Sequence, residues 1–258
     1  MQQNCKNCGT YLQGRFCNNC GQKADIHALT FSHIFHEVFH AFTHADKSFL
    51  VMLKKMIVEP GKVTWEYIVE GKRQRYYNPF TFFLLVTAIN AFVESRLLTL
   101  RENIFHDNNE YARLFNVYNK AMLLIIIPCI AFAFFALHQK KARLRYSEYT
   151  VVAMMFFSMK TTIDIFVNSI NYLLVYAFHL YRGLDEYFFY ILAVAMLVAY
   201  ADRQFHNQRY KSSFIKSITA GLLFCLIIAG VNMFIVWAFL RHFNGLGVFN
   251  MYGFRISG

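Results

Sequence analysis

The amino-acid sequence predicts an all-α integral membrane protein of about five transmembrane helices, preceded by a small cysteine-rich knuckle and amphipathic helices. Three observations predict it. Of 258 residues, 57% are apolar and only 16% charged, against about 25% charged in a soluble globular domain. Aromatic residues reach 18%, with 29 Phe and 16 Tyr. The apolar residues gather into runs near 79–95, 119–138, 149–180, 186–201 and 213–240, close to or above the ~20 residues that cross a ~30 Å hydrocarbon core. Such a composition excludes disorder, a fibrous repeat and most soluble-enzyme architectures. Three regions follow: a knuckle at 1–25, an amphipathic or interfacial helical linker at 26–78, and a transmembrane helical domain at 79–258.

The knuckle carries the sharpest signal. Cys5-x-x-Cys8 and Cys17-x-x-Cys20 stand eight residues apart, and each pair is followed by glycine, Gly9 and Gly21. Thiolate pairs at this spacing suit the tetrahedral shell of zinc, and glycine permits the turn that folds the backbone round a metal. Disulfides or a redox pair are the rival reading, and a cytoplasmic placement favours thiolates. A short loop without a core needs such a staple. With four protein ligands the site is structural rather than catalytic. Residues 1–25 lack the apolar stretch of a secretory signal. Cys129 and Cys225, each alone in an apolar run, read as buried thiols.

Residues 31–44 read as an amphipathic helix, with Phe31, Ile34, Phe35, Val38, Phe39 and Phe42 on one face and His33, His36, Glu37, His40 and His44 on the other. It could lie in a bilayer interface. His36-Glu37-x-x-His40 matches the pattern in which two histidines bind zinc and a glutamate acts as general base. That makes Glu37 a candidate catalytic residue and His36, His40 and His44 a candidate second metal site. The plainer reading is a solvated or packed polar face. With only three fixed positions chance matches are common, and the longer metzincin spacing is lacking.

Next come a break at Pro60–Gly61, a short helix near 62–70 ending at Gly71, and a basic aromatic stretch, Lys72, Arg73, Arg75, Tyr76 and Tyr77, before Pro79 opens the first span. These residues can anchor the chain at the headgroup level or bind anionic lipid headgroups. Lys140, Lys141, Arg143 and Arg145 form a second such patch. The net charge of +11 has its first explanation in loop topology, and no fold signature supports nucleic acid. Lysine and arginine divide 18 against 7 between the two sets of loops, which places the N-terminus in the cytoplasm and the C-terminus outside.

Inside the third run, Lys160, Asp164, Asn168 and Asn171 share one helix face. The i, i+4 spacing lets Lys160 and Asp164 pair, which lowers the cost of either in lipid. The stripe reads as an interhelix polar seam, as the edge of a shifted span, or as a substrate or proton pathway. Asn90, Glu94 and Asn232 could face the same interior. Gly230 is expected to permit close helix packing.

The chain resembles an uncharacterised bacterial family of multi-pass membrane proteins with an N-terminal double-CxxC zinc ribbon. The likeness is carried by Cys5 to Gly9, by Phe16-Cys17-Asn18-Asn19-Cys20-Gly21-Gln22-Lys23, by Asp46-Lys47, by Pro60-Gly61, and by Glu66-Tyr67-x-x-x-Gly71-Lys72-Arg73 followed by Pro79. It implies a zinc-ribbon head on a membrane domain of unknown function in the bacterial inner membrane, and brings no activity with it. The leading expectation is therefore non-enzymatic: a scaffold, adaptor or accessory protein embedded in the lipid bilayer. Its partner would be a cytoplasmic protein or a second copy of the chain. The rivals are a transporter or lipid-handling protein using Lys160 and Asp164, and a membrane zinc metalloprotease using His36, Glu37 and His40.

Overall fold

The computed structural model describes residues 4–12, 14–24, 47–105, 110–179, 185–208 and 213–240. After the knuckle come α1 (Lys47–Val58), α2 (Pro60–Ile68) and a 3-10 turn at Arg73–Arg75. The long helices follow: α3 (Pro79–Phe105), α4 (Glu110–Ala142), α5 (Tyr146–Phe178), α6 (Asp185–Asn207) and α7 (Phe214–Leu240). The histidine helix of residues 31–44, with His36, Glu37, His40 and His44, lies outside the described residues.

Among the described residues, four stretches are long and apolar enough to cross a membrane: Arg73–Phe105, Met122–Gln139, Tyr146–Phe178 and Phe214–Phe234. The expected run at 186–201 forms a helix of sufficient length, α6, but is not among them. Asp185, Glu186, Asp202 and Arg203 crowd its two ends and leave a short apolar centre. The first span, by contrast, is longer than its apolar run, because α3 continues through Glu94, Arg96 and Arg101 to Phe105.

The long helices run alternately up and down. α5 is central and packs against α3, α4, α1 and α2, while α7 sits between α4 and α6. The inner residues of α5, among them Val152, Met155, Phe156 and Met159, are sealed, and they meet Phe134 of α4, Phe82 of α3 and Phe224 of α7. Phe92, Leu124, Phe132, Leu173, Phe189 and Leu226 face outward, each more than 60% exposed. A surface this rich in large apolar side chains suits hydrocarbon, not water.

The short helices close one end of the bundle. Met52 and Met56 of α1 are fully buried, each burial being worth about 1.5–3 kcal/mol. α2 lies across α6. Pro60 occupies its first turn, where a missing N–H costs nothing, but Glu59 supplies no side-chain cap. Gln204 of α6 caps it instead: its Oε1 accepts from the N–H of Gly61 at 2.9 Å and of Lys62 at 3.2 Å. Trp65 then packs edge-on against Phe205. α3 begins with a local cap, Asn78 Oδ1 accepting from the N–H of Phe80 at 3.0 Å.

Two glycines set how closely these helices approach. A Cβ on Gly61 would stand 2.1 Å from the Ala201 carbonyl oxygen, and one on Gly221 would stand 2.1 Å from that of Ala195. Gly230, the expected packing glycine, has open space around it instead, because α7 meets α6 one helical stretch earlier. Gly61→Ala and Gly221→Ala should each destabilise the detergent-purified protein by about 1–3 kcal/mol, seen as a lower thermal midpoint. Gly230→Ala should stay within about 0.5 kcal/mol of the parent.

Candidate metal centre and docking hub

Residues 4–11 and 16–23 trace the same turn twice. Cys5 N–H donates to Thr10 O and Cys17 N–H to Gln22 O, both at 2.8 Å, while Gly9 and Gly21 N–H return to Cys5 and Cys17 O. Gly9 and Gly21 have φ of 77° and 73°, where any side chain would be strained. The repeated turn brings all four predicted cysteines together. Cys5 Sγ stands 3.5 Å from Cys20 Sγ, and Cys8 Sγ 3.5 Å from Cys17 Sγ. Disulfide sulfurs would be about 2.05 Å apart, whereas the edge of a thiolate tetrahedron with 2.3 Å bonds is about 3.8 Å. The four sulfurs could therefore hold a metal ion. Burial pushes the Cys5 thiol up to about 11, while the hydrogen bond to Thr10 draws Cys8 down to about 6. Metal entry must displace protons from the more basic sulfurs.

The knuckle rests on the closed end of the bundle. Gln22 is buried, and its Nε2 donates to the carbonyl oxygen of Gly71 at 2.9 Å. Gly71, with φ of 71°, turns the chain after α2 so that Lys72 N–H reaches Glu66 O at 3.0 Å.

Glu66 is the centre of this junction. It is 6% exposed and sits among the predicted anchoring residues. Tyr76 donates its hydroxyl to Glu66 Oε2, Arg75 Nη1 lies 3.5 Å from the same oxygen, and Lys72 Nζ lies 3.5 Å from Oε1. Lys72 also pairs with Glu70 at 2.6 Å. Arg73 lies over the Tyr67 ring, and Tyr77 is buried edge-on against Phe49. Lys72, Arg73, Arg75, Tyr76 and Tyr77 are thus engaged with α1, α2 and one another.

The polar stripe also finds partners. Lys160 Nζ lies 2.5 Å from Asp164 Oδ2, and Tyr190 of α6 donates to the other carboxylate oxygen. Asn168 Nδ2 donates to Asn90 Oδ1 of α3 at 3.4 Å. Asn171 is partly buried on the next turn. These contacts join α5 to α3 and α6, as a polar seam between helices does.

Among the described residues, sequence reasoning missed one further cluster: His138 of α4 with Asp202 and His206 of α6, all buried. Its only sequence signal is Asp202 and His206 at i, i+4 just beyond an apolar run. The third member belongs to another helix far earlier in the chain, and only the packing that brings the ends of α4 and α6 together unites them. Nothing in the sequence announces the contacts of Gln22 and Gln204, since each acts on a backbone group distant in the chain.

Residues 46–90 match the model of a family described as a protein of unknown function (DUF3667). The match covers α1, α2, the Glu66 junction and the first turns of α3. No curated protein and no solved structure matches the chain.

Burial alone would raise the Glu66 carboxyl, but the Tyr76 hydroxyl and the charges of Lys72, Arg75 and Lys55 outweigh it and hold it below its ordinary value of 4.5. A depressed folded-state pKa contributes stability above the unfolded value that is lost as pH falls through the folded one. Glu66→Gln should therefore lower the thermal midpoint at pH 7. The gap from the parent should close as pH falls below about 4.5, measured by scanning fluorimetry across pH.

Proposed function

We propose that this chain is a multi-pass scaffold or adaptor of the bacterial inner membrane. A zinc-stapled head is held on the cytoplasmic end of its bundle and engages a cytoplasmic protein. One observation carries the reading: the Gln22–Gly71 hydrogen bond clips the head to the junction between the amphipathic helices and the first span. A head fixed there presents its outer face in a defined orientation, which suits docking more than tethering. The charge distribution supports the sidedness. The starts of α3, α5 and α7 and the ends of α4 and α6 meet at the head-bearing end, where Lys216 reaches Leu137 O at 3.1 Å; Arg143, Arg145 and Arg203 belong to these same helix ends. Lysine and arginine enrichment marks the cytoplasmic side. Zinc is the ion that four thiolates at this spacing favour.

The pathway reading receives less support, because both Asp164 oxygens already hold partners. The protease reading rests on residues outside those described.

Complementation of a deletion strain under conditions where it grows poorly separates the three. The adaptor reading expects Cys17→Ala/Cys20→Ala to fail, with the protein still inserted, while Glu37→Ala and Asp164→Asn restore growth. Failure of Asp164→Asn at normal abundance would establish a pathway, and failure of Glu37→Ala a protease. A C-terminal reporter active only in the cytoplasm would overturn the topology.

A further inference from the structure

His138, Asp202 and His206 form a second cluster of metal-ligating side chains, independent of the cysteines and of the head's role. They are 1%, 0% and 1% exposed. His138 Nε2 lies 3.1 Å from Asp202 Oδ1, and His206 Nδ1 lies 3.2 Å from the same oxygen. His206 Nδ1 also lies 3.0 Å from its own helix carbonyl at Asp202. The three donor atoms stand within 4.8 Å of one another.

Burying a carboxylate without compensation is strongly unfavourable. Proteins meet that cost by pairing the charge or by coordinating a metal. Two imidazoles and one carboxylate are the donor set of divalent first-row ions, zinc and ferrous iron above all. Around an ion with bonds of about 2.0–2.2 Å, adjacent ligand atoms lie about 2.9–3.5 Å apart, and both measured separations fall there. The surroundings are built rather than incidental. Phe205 stands edge-on to His206, Trp65 of α2 packs on Phe205, and Gly61 presses on Ala201 next to Asp202. Lys216, the nearby cation, is turned to the Leu137 carbonyl.

We propose that His138, Asp202 and His206 bind a divalent transition ion, zinc or ferrous iron, that ties α4 to α6 beneath α2. The two rings stack with centroids 3.8 Å apart and planes 17° from parallel. One imidazole must therefore turn about its Cβ–Cγ bond, a broad torsion, so that both lone pairs meet the ion. Each ring then presents an unprotonated nitrogen, the N–H proton passing to the other ring nitrogen or to solvent.

The test is elemental analysis of full-length, monodisperse protein in detergent, loaded separately with zinc and, anaerobically, with ferrous iron. About two ions per chain are expected in the parent with the preferred metal. About one should remain in Cys17→Ala/Cys20→Ala, and about one should be lost from the parent in His138→Gln and in Asp202→Asn. X-ray absorption of the cysteine variant should show a nitrogen and oxygen shell without sulfur. If that variant does not fold, the fall from two to one in His138→Gln supports the site equally well. One ion per chain under both loadings, all of it on sulfur and unchanged by His138→Gln, would overturn the proposal and leave a metal-free hydrogen-bonded cluster.

Discussion

Keeping the Glu66 carboxylate charged at the closed end of a lipid-facing bundle requires donors on every side, and the local architecture follows from supplying them. Tyr76, Lys72 and Arg75 all come from the segment just after α2. To reach back, that segment must reverse at Gly71, whose positive φ makes the reversal available. The reversal exposes the Gly71 carbonyl, and Gln22 takes it. One buried charge thus fixes the path from α2 into the first span and creates the acceptor on which the head sits. Removing a partner from such a group leaves an uncompensated buried charge, which is strongly destabilising.

The same end of the bundle is built from contacts that replace local ones. α2 has no side-chain cap of its own, so α6 provides Gln204. Gly61 lets the two backbones approach closely enough for that cap to form. Because α2 is too short to be stable alone, its shape depends on α6 and α5. The residues that make α2 stable also roof the His138–Asp202–His206 cluster. Head, junction and buried cluster therefore lie at the same end of the bundle, linked through α2 and the segment after it.

Much of this is legible in the sequence. The apolar runs mark the long helices to within a few residues at most ends, because helix length and hydrocarbon thickness are set by the same dimension. The cysteine spacing alone foretells the four-sulfur cluster, since a two-residue gap and a following glycine encode the turn locally. Lys160 and Asp164 announce their pairing by i, i+4 spacing. What is not legible is the chemistry made by two distant segments. Lys72, Arg73 and Arg75 read as residues that anchor the chain or bind lipid headgroups, and that reading does not announce the pairing of Lys72 and Arg75 with Glu66. His138 looks like an ordinary residue at the end of a span until α6 is laid beside it. Gly221, not Gly230, takes the close contact because helix register is fixed by neighbours that the sequence of α7 does not name.

The dependence of the junction on the head is open to direct observation by hydrogen exchange of the intact protein in detergent, metal-loaded against chelator-stripped. If the metal holds the turn that positions Gln22, stripping should speed exchange at the amides of Lys72 and Arg75 and through α2, while the centre of α5 stays protected. Equal exchange across residues 60–76 in the two states would contradict a head that is stapled by metal and clamped to the bundle.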